Sequence, residues 1–335
     1  MYIIGAILAF SVLVIVHELG HFTLAKLNGV KVEEFSLGMG PKIVGIKGKE
    51  TEYLIKALPI GGYVKMLGED AEVNDPRAFS NKTSVQKLSI IAAGPLMNLI
   101  FAIVIFGIIG SRGYLVSTVS KLEPGSPAVE VGLKEGDKII KADGKKIVTW
   151  EDLTGIIYTT KEKPLNLTLI RNGERKNIPV TPKMDLEENR PKIGIYPTMI
   201  ENPTVIQSIK YGFNETISLM KQTFGFFKTL FQGKASASDV GGPVTIIKVA
   251  KDVAKAGFWP LLTFAAFLSV QLGLFNIIPF PALDGGWIFL FLFEVITRKK
   301  IDTQKVGLIN TIGFALLMTL MVLVTIKDIL YPIKF

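Results

Sequence analysis

The chain has 335 residues, two histidines, no cysteine and a net charge of +9. Without cysteine there is no disulfide framework and no thiolate to bind a metal or attack a substrate. Hydrophobic residues make up 49% of the chain; they gather in long uncharged runs near both ends, which excludes a wholly water-soluble protein. No basic helix with interleaved aromatics is present, so the positive charge is assigned to cytoplasmic loops and anionic membrane lipids, and no nucleic-acid partner is expected.

In chain order, the first predicted span runs from Tyr2 to Ala25 and is uncharged until His17-Glu18. No Lys or Arg precedes its apolar part and no small-residue cleavage site follows, so it reads as a retained helix and not as a signal peptide. A loop rich in lysine and arginine follows. In it Lys42–Ile46 and Glu52–Lys56 flank a Gly48-Lys49 turn, predicting a hairpin, with a further strand over Tyr63–Leu67. The second span covers Leu88–Ile109. Residues 112–195 read as a small α/β domain: strands over Leu115–Val119, Lys138–Ala142, Leu165–Ile170 and Lys176–Val180, and helices over Ala128–Leu133 and Trp150–Tyr158. An amphipathic helix is expected over Thr204–Phe231. The third span covers Gly257–Leu283. Gly286–Phe293 is too short to cross and reads as re-entrant or buried, and the fourth span covers Val306–Ile326.

Lysine and arginine set the orientation. The first loop carries Lys26, Lys31, Lys42, Lys47, Lys49, Lys56, Lys65, Arg77, Lys82 and Lys87, and the loop after the third span carries Arg298, Lys299, Lys300 and Lys305. Both are expected in the cytoplasm, with both termini and residues 112–260 outside. The fold expected is an α-helical polytopic membrane protein of about four transmembrane helices, with a β-hairpin region on the cytoplasmic side and an inserted extracytoplasmic α/β domain. Its divisions are 1–27, 28–87, 88–110, 112–195, 196–256, 257–297 and 298–335.

The motif that carries chemistry is His17-Glu18-Leu19-Gly20-His21. On a helix, positions i and i+4 share a face, so both imidazoles can meet one metal ion. Glu18 lies beside them, placed to take a proton from a water whose pKa zinc lowers to ~7. These are the only histidines of the chain, and ionisable residues within a spanning helix are costly enough to be functional by default. A catalytic zinc needs a third protein ligand, here a carboxylate. Asp284, within Asn276–Gly286, is the candidate, because the first and third spans run in the same direction and end at one level. Glu294 stays open as the alternative. Pro279 and Pro281 break the third helix just before Asp284. Backbone so broken is tolerated within a membrane only where it lines protein or a watery cavity. Asn276 could donate there to the substrate backbone or the oxyanion. Asn98, within Gly94–Asn98, reads equally as a helix–helix hydrogen bond or as a site residue. Three ligands leave one position open for water. A non-catalytic membrane receptor or adaptor with a structural zinc would close the site with four ligands, and a zinc transporter would want more ligands than two histidines.

Taken together, the His17–His21 motif, Gly38–Pro41, Pro59–Met66, Gly94–Asn98, Gly242-Pro243-Val244 and Asn276–Gly286 resemble the bacterial site-2 proteases of the RseP type over nearly the whole chain. The resemblance implies an intramembrane zinc metalloprotease of the bacterial cell membrane with one catalytic Zn2+. It implies His17, His21 and Asp284 as ligands, Glu18 as catalytic base and Asn276 in substrate handling. It also implies a PDZ-like domain at 112–195, and single-pass membrane protein substrates such as anti-sigma factors already trimmed by an upstream protease, or remnant signal peptides. Trp287 departs from the polar or basic residue expected after the paired glycines. Within the PDZ-like region, Gly113, Tyr114, Leu115 and Val116 are similar to a carboxylate-binding loop for a peptide terminus, with a steric filter as the equally weighted alternative.

Overall fold

The structure, a computed structural model, describes residues 2–69, 73–185, 190–233, 241–299 and 303–332. Lys300, assigned to the second basic loop, lies outside the described residues.

The first apolar run forms α1 (Tyr2–Leu27). It stops at Asn28-Gly29, where Gly29 takes φ +68°. Val30 N–H donates to Ala25 O at 2.9 Å and Gly29 N–H to Lys26 O at 3.0 Å, closing the last turn on a left-handed glycine. Two long bent strands follow, β1 (Val32–Lys47) and β2 (Glu52–Met66), paired antiparallel. Each pairs twice. Phe35 faces both Val64 and Tyr53, while Lys47 and Lys42 face Glu52 and Lys56. The expected hairpin around Gly48-Lys49 is therefore present, and the expected separate strand at Tyr63 is the second half of β2. The bend falls at Gly38, φ +83°, where a Cβ would lie 2.4 Å from the Leu58 carbonyl oxygen; only glycine fits. The next apolar run forms α2 (Ser84–Gly110), with Pro95 inside it.

Residues 106–225 form a second compact unit. In it come β3 (Tyr114–Leu122), α3 (Pro127–Glu130), β4 (Lys138–Ala142), β5 (Lys145–Lys146), α4 (Trp150–Thr160), β6 (Leu165–Arg171), β7 (Glu174–Val180), β8 (Lys183–Asp185), β9 (Arg190–Lys192) and β10 (Ile195–Ile200). The main sheet has the order β10-β3-β4-β6-β7, with β5 beside β4, and β8 pairs with β9 apart from it. Leu165, Leu167 and Leu169 alternate inward along β6 and meet Val119, Ile139, Leu153 and Ile157 in one core, the period-two pattern of a half-buried strand. The capping box of Thr149 and Asp152 starts α4. β10 pairs with β3 from Ile195↔Leu122 to Ile200↔Tyr114, so the domain runs to Ile200 and does not close at 195. The amphipathic pattern that follows forms α5 (Val205–Phe231).

The next helix, α6 (Pro243–Ala256), lies in what the sequence presents as linker. Beyond it come α7 (Phe258–Ile277), α8 (Asp284–Thr297) and α9 (Thr303–Leu330). The third span is shorter than Gly257–Leu283, because Ile278 turns extended before Pro279. Gly286–Phe293 lies inside α8 and is not a separate fragment. Among the described residues, four helices are long and apolar enough to cross a membrane: α1, α2, α7 and α9. Where α1, β1, β2, α2 and α8 meet, Ala25, Val32, Val64, Phe79, Ile90 and Phe291 form the unit's core. Trp287 stacks on Phe291 with ring centroids 5.6 Å apart and packs against this core, which explains an aromatic residue where a polar one was expected.

Candidate metal centre

His17 and His21 stand one turn apart on α1 and are both buried. Their Nε2 atoms are 3.2 Å apart. Asp284, the first residue of α8, places Oδ2 3.0 Å from His17 Nε2 and 3.4 Å from His21 Nε2. Among the described residues these three side chains are the one group of His, Cys, Asp and Glu whose atoms converge closely enough to hold a metal ion. Asp284 Oδ2 is buried without a hydrogen bond of its own, so the three atoms face a common point. Tetrahedral zinc sets its N and O ligand atoms about 3.3 Å apart, and the observed triangle fits it.

The ring nitrogens turned away from that point fix the imidazoles. His21 Nδ1–H donates to Ile90 O at 3.0 Å, leaving the Nε2 lone pair for a metal. His17 Nδ1 lies 3.2 Å from the Asn98 carboxamide. The amide atom on that side is Nδ2, while Asn98 Oδ1 is buried without a partner; turning the carboxamide over would bring the oxygen to a protonated Nδ1, the form that leaves Nε2 free to ligate. Asn98 is fully buried, and Ser269 Oγ–H donates to its backbone carbonyl oxygen at 2.8 Å. Asn98, which the sequence leaves equally as a helix–helix hydrogen bond or a site residue, reaches from α2 to the far nitrogen of His17 on α1.

Small residues make room for this arrangement. A Cβ on Gly94 would sit 2.3 Å from His21 Nε2, and one on Gly20 would sit 2.4 Å from Ala93 O. A Cβ on Gly273 would lie 2.9 Å from Pro95 O. Glycines thus bring α1, α2 and α7 together at the height of the histidines. Gly62 of β2 lies against Glu18: a Cβ there would be 3.2 Å from Glu18 Cγ. The sequence singled out the Gly94-Pro95 segment, but nothing local in it indicated that Gly94 is the wall of the histidine pocket.

Asn276 is half-buried on the last turn of α7. Glu294, the alternative ligand, lies farther along α8 and accepts from Ser84 Oγ at 2.7 Å; it is not part of the converging group. Of the expected carboxylate-binding segment, Gly113 precedes β3 and the other three residues lie on it. Tyr114, Leu115 and Val116 belong to β3 and pair with Ile200, Met199 and Thr198, so their backbone is committed to the sheet. Gly113 N–H donates to Gly110 O at 3.0 Å. An open cleft of about 530 Å³ lies between α4 and β10, with Leu115, Trp150, Ile157, Tyr158, Ile193 and Ile195 on its walls. The turn into β10 is at Gly194, φ +78°. The signal missed in the sequence is Ile193-Gly194-Ile195, a glycine between two apolar residues at the head of an edge strand.

The model of peptidase family M50 matches residues 5–320. A protein of Clostridium acetobutylicum named for zinc metalloprotease activity is 54% identical over 334 residues, covering 99% of this chain and 98% of that one. Zinc metalloprotease RasP of Geobacillus kaustophilus is 32% identical, covering 98% and 97%. Regulator of sigma-W protease RasP of Bacillus subtilis is 30% identical, covering 98% of each chain. Among solved structures, a PDZ domain of an SdrC-like protein from Listeria monocytogenes is 20% identical, covering 26% of this chain and 88% of its own, with a TM-score of 0.22.

Proposed function

The chain belongs to peptidase family M50 and is a zinc metalloprotease, and on that premise we propose that it cuts single-pass membrane proteins within or beside their spanning segments. The observation that carries this reading is the convergence of His17, His21 and Asp284 where helices apolar enough to cross a bilayer meet. The three side chains would hold one Zn2+ and leave a fourth position open. Bound there, zinc supplies a Lewis acid and a water made acidic enough to lose its proton near neutral pH.

The chain's own residues do the rest. Glu18 takes the proton of the attacking water and hands it to the leaving amine. Asn98 and the Ile90 carbonyl hold the two imidazoles in the tautomer that ligates. Asn276, on the last turn of α7, holds the substrate backbone or the developing oxyanion. A helical substrate hides its peptide bonds in its own hydrogen bonds and must unwind first. The Gly62–Met66 stretch of β2, beside Glu18, is suited to take the unwound segment as an added strand.

The lysine and arginine bias puts the first loop and residues 298–305 in the cytoplasm and residues 112–260 outside the bacterial cell membrane. Outside, the cleft between α4 and β10 offers an apolar groove beside an edge strand, suited to an extended peptide. Anti-sigma factors already trimmed by an upstream protease and remnant signal peptides are the substrate classes that fit a site within the membrane. The Bacillus subtilis relative, named a regulator of sigma-W, points the same way.

The test is a comparison of membrane-protein fragments in cells carrying the native chain or Glu18→Gln, with zinc measured on both purified proteins. The substitution removes the base and keeps the ligands. Cleavage should fall by about 10²–10⁴-fold with zinc retained. Equal fragment patterns in the two strains would refute the assignment.

A further inference from the structure

Asp284 opens α8, so its placement depends on the stretch Ile278–Leu283 that leads into it. That stretch has little regular hydrogen bonding. Phe280 N–H donates to Ile278 O at 2.7 Å and Leu283 N–H to Phe280 O at 3.2 Å, while Pro279 and Pro281 have no N–H to give. Ala282 takes φ +72°, a left-handed conformation that a residue with a Cβ adopts only where its surroundings hold it.

Two elements do the holding. On one side are the paired glycines of α8: a Cβ on Gly285 would lie 2.0 Å from Ile278 O, and one on Gly286 2.6 Å from Phe280 O. On the other side is α9. Asn310 Oδ1 accepts the Ala282 N–H at 3.2 Å. Gly313 follows one turn later on the same face, and a Cβ there would lie 2.4 Å from Pro281 Cβ and 2.8 Å from its carbonyl oxygen. Gly313 is buried and Asn310 half-buried, whereas Ile309, Ile312, Phe314 and Leu316 around them are exposed. A carboxamide in so apolar a helix is costly unless it is used, and here it is spent on the backbone N–H of the strained residue two positions before a metal ligand.

We propose that Asn310 is a positioning residue. Through Ala282 it fixes the Pro279–Leu283 turn so that Asp284 presents Oδ2 to the point shared with His17 and His21. Gly313 gives α9 the close approach this needs. The proposal rests on the reading of His17, His21 and Asp284 as the zinc site. It assigns to the last helix a share in metal retention, although that helix contributes no ligand.

The test measures zinc retention by the purified full-length protein against a competing chelator, with thermal unfolding and cleavage followed in parallel. Asn310→Leu keeps the size and loses the acceptor, Asn310→Asp keeps an acceptor oxygen, and Leu316→Ala on the exposed side of α9 is the control. Zinc affinity should fall about 10–100-fold in Asn310→Leu, the range for loss of a partner that orients a metal ligand. It should return most of the way in Asn310→Asp and stay native in Leu316→Ala. Should Asn310→Leu fail to fold, Gly313→Ala asks the same question by pushing α9 off Pro281, and it too should release zinc faster. Native zinc affinity in a folded Asn310→Leu or Gly313→Ala protein would overturn the proposal. So would equal losses in the Leu and Asp variants that only track lowered unfolding temperatures. If Asp284→Asn itself left zinc binding unchanged, the metal site reading would fail, and that result is distinct from either of these.

Discussion

On the apolar helices of the unit that carries the histidines, several buried polar side chains serve the site or a helix end. Asn98 faces His17, and Ser269 braces the Asn98 backbone carbonyl. Asp328 on α9 accepts the N–H groups of Gly242 and Thr245 at 2.8 and 3.0 Å, capping α6. In the unit of residues 106–225, the buried charges serve the domain's own fold. Asp137, fully buried, takes hydrogen bonds from Arg171 Nε at 2.7 Å and Nη2 at 2.6 Å. Asp152 closes the capping box of α4 and accepts from Ser218 on α5. The difference follows from the solvent. A spanning helix satisfies its backbone internally, and any further polar group must justify its cost by function or by a specific partner. A water-facing domain tolerates charges wherever pairs form. Substitutions in the first unit should therefore show as lost metal, and those in the second as lost stability.

The largest effect on that contrast is expected from Gly94→Val. The added side chain would occupy the space of the His21 ring, since even a Cβ falls 2.3 Å from Nε2. Zinc affinity and cleavage should both drop at least about 100-fold, with the unfolding of residues 106–225 unchanged. Zinc content equal to the native protein would show that the histidines have another way to reach the metal.

A middle effect is expected from Arg171→Met. It strands the Asp137 carboxylate, which the guanidinium and the Lys134 N–H hold below its ordinary pKa against the cost of burial. Because the arginine side is partly exposed, the loss should be about 1–3 kcal/mol of domain stability, read by denaturant unfolding, with zinc content intact. A fall in zinc content would break the separation drawn between the two units.

The smallest effect is a pH dependence. Glu215 on α5 is buried, and one carboxylate oxygen of Glu215 and one of Glu151 lack hydrogen-bond partners. Burial first, then the nearby Glu151 and Asp152, push Glu215 up to about 8. Burial likewise raises Glu151. Between the ordinary value of 4.5 and about 8, the folded state binds more protons at Glu215 than the unfolded state does. Stability from this group is therefore full below about 4.5 and is lost as pH rises through about 8. Hydrogen exchange of α4 and α5 in the full chain should speed up between about pH 4.5 and about pH 8 after correction for intrinsic rates, and Glu215→Gln should flatten that rise. An identical slope in the variant would assign the titration elsewhere.

What the sequence alone determined is what depends on one element at a time. The spacing of His17 and His21 means one face in any α-helix, and an uncharged apolar run means a helix of spanning length wherever it packs. The alternation of Leu165, Leu167 and Leu169 likewise means a strand with one buried face. Tertiary structure decided whatever needed two elements to meet. Asp284 and Glu294 are both acids near the third span, and only the turn at Ile278–Leu283, held by α9, brings the first to the histidines and leaves the second with Ser84. Tyr196–Ile200 contains Pro197 and reads as linker, yet its pairing with β3 makes it an edge strand, where a proline costs no ladder bond that matters. That pairing also sets Tyr114–Val116 within the sheet. The start of α6 has Pro243 as its local mark, but its cap comes from Asp328 on α9, which no local pattern indicates. Backbone geometry writes its period into neighbouring residues; a ligand set, an edge strand or a cap supplied from afar exists only once the chain has packed.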